Sequence, residues 1–213
     1  MKFLAIDTAN EYLTVLAYKD GAAAHIYVPN CSMRHSTELM KAVEAALAQA
    51  ELTAAECDFF AAVVGAGSFT GIRIGISAAK GFCLAYGKPA LPVTSFELSA
   101  YNTLERGEKT LCIVNALHDA YYVCGFNQEG QEIYAPNYLT ESETLALVEE
   151  GYQLRAIGEG ECTLNIATKA PVAVCDAVEG LKNAVLAKAA RGEFGRLDAL
   201  YVRKSSAELN LQK

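Results

Sequence analysis

"VVGAGSFTGIRIGISAAKG", residues 63–81, decides how the rest of the chain is read. An apolar run enters a glycine turn and leaves along a helix, a layout that often holds a phosphate. The two familiar phosphate signatures are not met. The glycines at 65, 67 and 71 are one residue too wide for G-x-G-x-x-G, and Ile72 stands where a P-loop needs lysine. What remains is a helix N-terminus that could accept an anion, with Ser68 and Thr70 as hydroxyl donors, or a helix that needs its small residues for packing. Gly71, Gly75 and Ala79 recur four apart. A glycine inside a helix costs about 1 kcal/mol relative to alanine. The repeat is therefore explained by close approach of another backbone, either within the fold or from another subunit.

Upstream, residues 2–6 and 11–18 read as strands. Lys19-Asp20-Gly21 carries a hairpin signal, and residues 23–28 read as a third strand. Residues 36–50 form a helix with Leu39, Met40, Val43, Ala46, Leu47 and Ala50 on one apolar face, started by Ser36 or Thr37. Residues 59–64 are a buried strand, Gly87-Lys88-Pro89 stops the helix that follows the glycine turn, and residues 90–94 add a short strand before a further helix. The order then starts again. Strands are expected at 110–116, 121–127 and 131–138, a helix at 141–150, strands at 152–158 and 171–175, and a helix at 179–191. This repeat without residue identity predicts an α/β protein of two related lobes, residues 1–105 and 106–213, the second less complete.

The chain has 213 residues, 52% hydrophobic and 20% charged, enough to bury a substantial core. No apolar run approaches the ~20 residues of a membrane helix, and the start has no signal-peptide pattern, so the expected compartment is the cytoplasm. Seven cysteines, none in a C-x-x-C pair, read as core residues rather than a disulfide framework. A net charge of −7 with dispersed basic residues argues against independent nucleic-acid binding. The three histidines, His25, His35 and His118, have no zinc-site spacing, and no nucleophile elbow is present, so no metal and no catalytic residue is assigned.

Asp7-Thr8 is the nucleotide candidate. Actin-like ATPases and sugar kinases place a phosphate- and metal-binding aspartate at the end of the first strand, in the pattern D-x-G-T. Here Ala9 replaces the glycine, Asn115 replaces the acid expected in the second lobe, and no Gly-Gly pair exists for an adenosine. The alternatives are a turn aspartate bonded to local backbone and a small ATP-binding, kinase-like protein.

"LAIDTA" at the start, "RHSTELM" at 34–40, "GAGSFTGIRIGISAAKG" at 65–81, "LPVTSFELSA" at 91–100 and "LYVR" at 200–203 resemble the TsaB (YeaZ) family. The resemblance implies two ribonuclease-H-like lobes of the actin-like ATPase (ASKHA) superfamily, of βββαβαβα type, with the second lobe reduced. It implies a non-catalytic subunit in the formation of threonylcarbamoyladenosine in tRNA. The partners would be a TsaD-type transferase and a TsaE-type ATPase, with a homodimer when alone, tRNA met only through the complex, and no cofactor of its own beyond ATP at a joint between subunits. On the family's pattern the partner surface comprises Ser68, Phe69, Gly71, Ile72, Arg73, Gly75 and Ala79, with Arg34, His35, Ser36, Leu39 and Val43 on the neighbouring helix. Two departures stand out. Ala66 replaces the family's proline, and residues 115–122 lack the acid, arginine and glutamate of its second-lobe run.

Overall fold

The computed structural model describes residues 1–102, 107–116, 119–157 and 165–203. Strand β1 (Lys2–Asp7) is buried from Phe3 onward on both faces, which places it at the centre of a sheet. β2 (Leu13–Lys19) returns beside it. β3 (Ala22–Val28) follows through a two-residue hairpin at Asp20 and Gly21, whose φ values of 49° and 104° give the left-handed pair that such a turn requires. α1 (His35–Gln49) leads to β4 (Phe59–Val63), and α2 (Phe69–Tyr86) leads to β5 (Ala90–Val93). β4 pairs parallel to β1 and β5 parallel to β4, giving the order β3-β2-β1-β4-β5. Gly87, in the left-handed region at φ 64°, ends α2 as expected. The start of α1 differs from expectation. Arg34 is its N-cap, no side chain caps it, and the Thr37 hydroxyl donates back to Arg34 O.

After α3 (Ser95–Ala100) the pattern recurs. β6 (Lys109–Asn115), β7 (Ala120–Asn127) and β8 (Glu132–Thr140) form an antiparallel meander. α4 (Glu141–Glu149) leads to β9 (Gln153–Ile157) and β10 (Val172–Cys175), and α5 (Ala177–Ala190) follows. The order β10-β9-β6-β7-β8 repeats that of the first sheet. Both lobes are thus of the ribonuclease-H-like, actin-like type. The second keeps all five strands, and its reduction lies in its helices: α4 has 9 residues where α1 has 15. The expected lobe boundary between 105 and 106 falls outside the described residues.

The layers follow from side-chain alternation. The Leu4, Ile6 and Phe60 face of the first sheet packs against Leu39, Val43 and Ala46 of α1, with Ile74 and Ala78 of α2 alongside. The opposite face, with Phe3, Ala5 and Phe59, is covered by Leu181, Ala184 and Val185 of α5, from the far end of the chain. In exchange, Phe96 and Ala100 of α3 pack with Cys112, Cys124 and Phe126 of the second sheet. α3 and α5 form the middle layer, in contact close enough that a Cβ on Gly180 would lie 2.4 Å from Leu98 O. Cys31, Cys57, Cys112, Cys124 and Cys175 are buried free thiols and Cys83 is half-buried, while Cys162 lies outside the described residues. Burial raises the thiol pKa to about 11 at both Cys57 and Cys175, which makes them packing groups rather than nucleophiles.

Candidate functional site

The glycine turn is shaped by the end of β1. The Thr8 hydroxyl donates to Gly71 O at 2.7 Å, and Ser68 N donates to Ala9 O at 2.7 Å. A Cβ on Gly67 would stand 2.2 Å from Ala9 O, one on Gly71 2.0 Å from Thr8 O, and one on Gly75 2.5 Å from Thr8 Oγ1. The small residues therefore admit the protein's own β1–β2 turn. Ser68 Oγ accepts from Gly71 N, so the cap is satisfied internally.

The residues expected at the partner surface divide between the inner and outer sides of α1 and α2. Gly71, Ile72, Gly75 and Ala79 are buried on the inner side of α2, and His35, Leu39 and Val43 on the inner side of α1. The amphipathic spacing that marks these positions is the core-facing spacing. Arg34, Ser36, Ser68 and Arg73 are exposed and Phe69 is half-buried. Sequence reading missed the apolar groups that do face outward. Met33 is 94% exposed and Leu84 87%, and Met40, expected on the apolar face of the helix, is instead 49% exposed. Gly81 has open space where a Cβ would be. The available signal was phase, since Leu84 falls in step with Arg73, Ser77 and Lys80 rather than with Ile72 and Ile76.

Between the lobes lies a cleft of about 1080 Å³, walled by Asn10, Tyr12, Tyr27 and His35 on one side and by Tyr122 and Asp176 on the other. The nucleotide candidates Asp7 and Thr8 do not line it. Asp7 is fully buried. Its Oδ1 accepts from Ala9 N at 2.8 Å, and Oδ2 has no hydrogen-bond partner. Burial is the largest influence and raises its pKa to about 6. The Ala9 N–H, the Tyr12 hydroxyl beside it and His35 each oppose that rise, without Tyr12 reaching hydrogen-bond geometry at Oδ2. Burial also drives the Tyr12 pKa upward. His35 Nε2 lies 2.9 Å from Tyr12 O, and the Asn10 amide donates to Tyr12 Oη, so the group that seals Asp7 is itself fixed. Among the described residues no lysine or arginine lines the cleft. The cleft therefore offers a phosphate neither Asp7 nor, among the described residues, a cationic side chain. Among the described residues no group of three histidine, cysteine or acidic side chains could hold a metal ion, and no helix is long and apolar enough to cross a membrane. Of the second-lobe run, Asn115 and Ala116 line the cleft, while Leu117 and His118 lie outside the described residues.

The C-terminal segment completes the site. Leu200 N donates to Val64 O at 2.7 Å, and Leu200 O fills the place of a Cβ on Gly65. Tyr201 stacks on Phe69 with ring centroids 4.5 Å apart, and Arg73 Nε donates to its hydroxyl at 2.9 Å. The "LYVR" element is thereby part of the glycine-turn assembly.

The sequence model described as TsaD, tRNA N6-adenosine threonylcarbamoyltransferase, matches residues 27–200. The tRNA threonylcarbamoyladenosine biosynthesis protein TsaB of Escherichia coli (strain K12) is 28% identical over 137 residues, covering 63% of this chain and 58% of that protein. TsaB of Bacillus subtilis (strain 168) is 30% identical over 102 residues, covering 48% and 44%. These matches span about half the length of the relatives. A solved structure of YeaZ from Pseudomonas aeruginosa superposes with a TM-score of 0.74 at 24% identity, covering 94% of this chain and 99% of that one, which establishes a shared fold. A second solved structure, described as similar to peptidase YEAZ from the same organism, gives 0.76 at 24% identity, covering 95% and 99%. With the threonylcarbamoyltransferase model matching residues 27–200 of the 213 in this chain and TsaB proteins as relatives, the chain belongs to that family, on its TsaB (YeaZ) branch.

Proposed function

We propose that this protein is a non-catalytic subunit in the biosynthesis of tRNA threonylcarbamoyladenosine. It pairs with a TsaD-type transferase through the outward faces of α1 and α2, a TsaE-type ATPase joins the pair, and tRNA is reached only through the complex, in the cytoplasm. Alone, the chain forms a homodimer through the same faces. The observation that carries the non-catalytic reading is the sealing of Asp7. The one acid placed where this fold puts its reactive chemistry has no access to the cleft. The docking reading is supported by Met40 of α1, Leu84 of α2 and Met33 in the turn before α1, apolar side chains left in solvent.

The test is nucleoside mass spectrometry on tRNA from a reaction containing TsaD-type and TsaE-type proteins, ATP and preformed threonylcarbamoyl-adenylate, with and without this chain. Product only in its presence is expected. Equal product in its absence overturns the reading. Within the same system, Leu84→Glu and Gly81→Arg are expected to abolish co-elution with the TsaD-type protein without loss of the fold, Leu84→Glu changing stability by no more than about 0.5 kcal/mol and Gly81→Arg gaining up to about 1 kcal/mol of helix propensity.

A further inference from the structure

We propose that residues 200–203 act as a latch that fixes the opening of the interlobe cleft. Tyr201 belongs to the first lobe by contact, through its stack on Phe69 and the Arg73 hydrogen bond at 2.9 Å. Arg203 belongs to the second. Its Nη1 donates to Tyr138 Oη at 3.2 Å, and its guanidinium carbon sits 4.8 Å from the Tyr138 ring centroid on β8. Only Val202 separates the two, so their Cα atoms stand about 7 Å apart at most. The lobes cannot part at this seam without releasing one of the two contacts.

The latch bears directly on the cleft. Phe69, beneath Tyr201, lines it on the first-lobe side. Tyr122, 6.0 Å from Tyr138, lines it on the second. The same two residues, with Leu200, Tyr201, Val202 and Arg203, enclose the tightly filled space at the seam. Upstream the latch is anchored by the Leu200–Val64 hydrogen bond and by Leu200 O against Gly65. An arginine over an aromatic ring at a half-exposed site contributes modestly, enough to favour a closed state several-fold without locking it. Such a contact sets an equilibrium between cleft openings.

The inference is tested on the full chain by electron–electron distance measurement between nitroxides at Met33→Cys and Gln131→Cys, in a background with Cys83→Ser and Cys162→Ser, the labelled chain being diluted with excess unlabelled parent so that only distances within one chain are read. The parent is expected to give a dominant shorter-distance population with a minor longer one. Arg203→Ala is expected to raise the ratio of the longer to the shorter population roughly fivefold over the parent. Arg203→Lys, which keeps a cation over Tyr138, is expected to retain most of the closed population. Tyr138→Leu is expected to match Arg203→Ala. An unchanged distribution in both Arg203→Ala and Tyr138→Leu overturns the latch. So does the same broadening in Lys41→Ala, an exposed side chain whose ion-pair partner is Glu38 on its own helix. Arg203 is exposed, so its loss leaves the fold intact. The outcome is independent of tRNA modification and reads the latch whether or not the proposed partners bind.

Discussion

A Cβ on Gly75 would stand 2.5 Å from Thr8 Oγ1, while Thr8 Oγ1 itself donates to Gly71 O at 2.7 Å. Gly75→Ala gains about 1 kcal/mol of helix propensity, yet forces that hydroxyl off its acceptor, and overpacking of this kind costs about 1–3 kcal/mol. Net destabilisation is expected, measured by urea unfolding. Thr8→Ala removes the obstacle, so the Thr8→Ala/Gly75→Ala protein is expected to be more stable than the sum of the single changes allows, a positive coupling readable in a double-mutant cycle. Additive effects would show that the two side-chain positions do not share one space. Asp7 gives a second prediction at this scale. Its folded pKa of about 6 lies above its ordinary value of 3.8. The folded state therefore holds the proton where the unfolded chain releases it, and stability contributed below pH 4 is lost as pH rises towards 6. Asp7→Asn, which cannot ionise, is expected to equal the parent near pH 4 and exceed it at pH 7 by up to about 3 kcal/mol. A parent whose stability is flat between pH 4 and 7 would remove the basis for this.

At the scale of elements, the periodicities in the sequence were sufficient for the strands and helices of both lobes. Each is built on a local signal: the Asp20-Gly21 turn, the four-residue spacing of Leu39 and Val43, the left-handed Gly87. Direction was not legible in the same way. The spacing of Gly71, Gly75 and Ala79 defines one side of α2 but does not say which neighbour that side meets, because a helix packs small residues against its own sheet or against a partner by the same close approach. The structure assigns that side to Thr8 and Ile6. For Asp7, the chain shows an acid at the end of a strand, while its sealing depends on Tyr12 and His35, which are brought over it by a hairpin and a helix start. The tail was legible as a motif, "LYVR", but its pairing with Phe69, Arg73 and Tyr138 joins positions 65 to 132 residues apart, for which one sequence carries no local signal.

For the whole molecule, the exchange of α3 and α5 between lobes means that neither sheet has its inner face covered by its own stretch of chain alone. The first sheet's inner face, with Phe3, Ala5 and Phe59, is closed by Leu181, Val185 and Leu197. Three such side chains contribute about 1.5–3 kcal/mol each on burial, together comparable with the ~5–15 kcal/mol that holds a domain of this size. Residues 1–105 expressed alone are therefore expected not to reach a cooperative native state, giving poor amide dispersion by NMR and no sharp urea transition. Joining residues 177–203 to them through a flexible linker restores α5 and the Leu200–Val64 hydrogen bond, and is expected to recover both signals. A cooperative, well-dispersed 1–105 fragment would instead make the first lobe an autonomous domain. The Leu181 and Val185 contacts would then be a docking of finished lobes rather than a shared core. The intact chain is expected to unfold in one transition, since the layer that separates the sheets is built from both halves of the sequence.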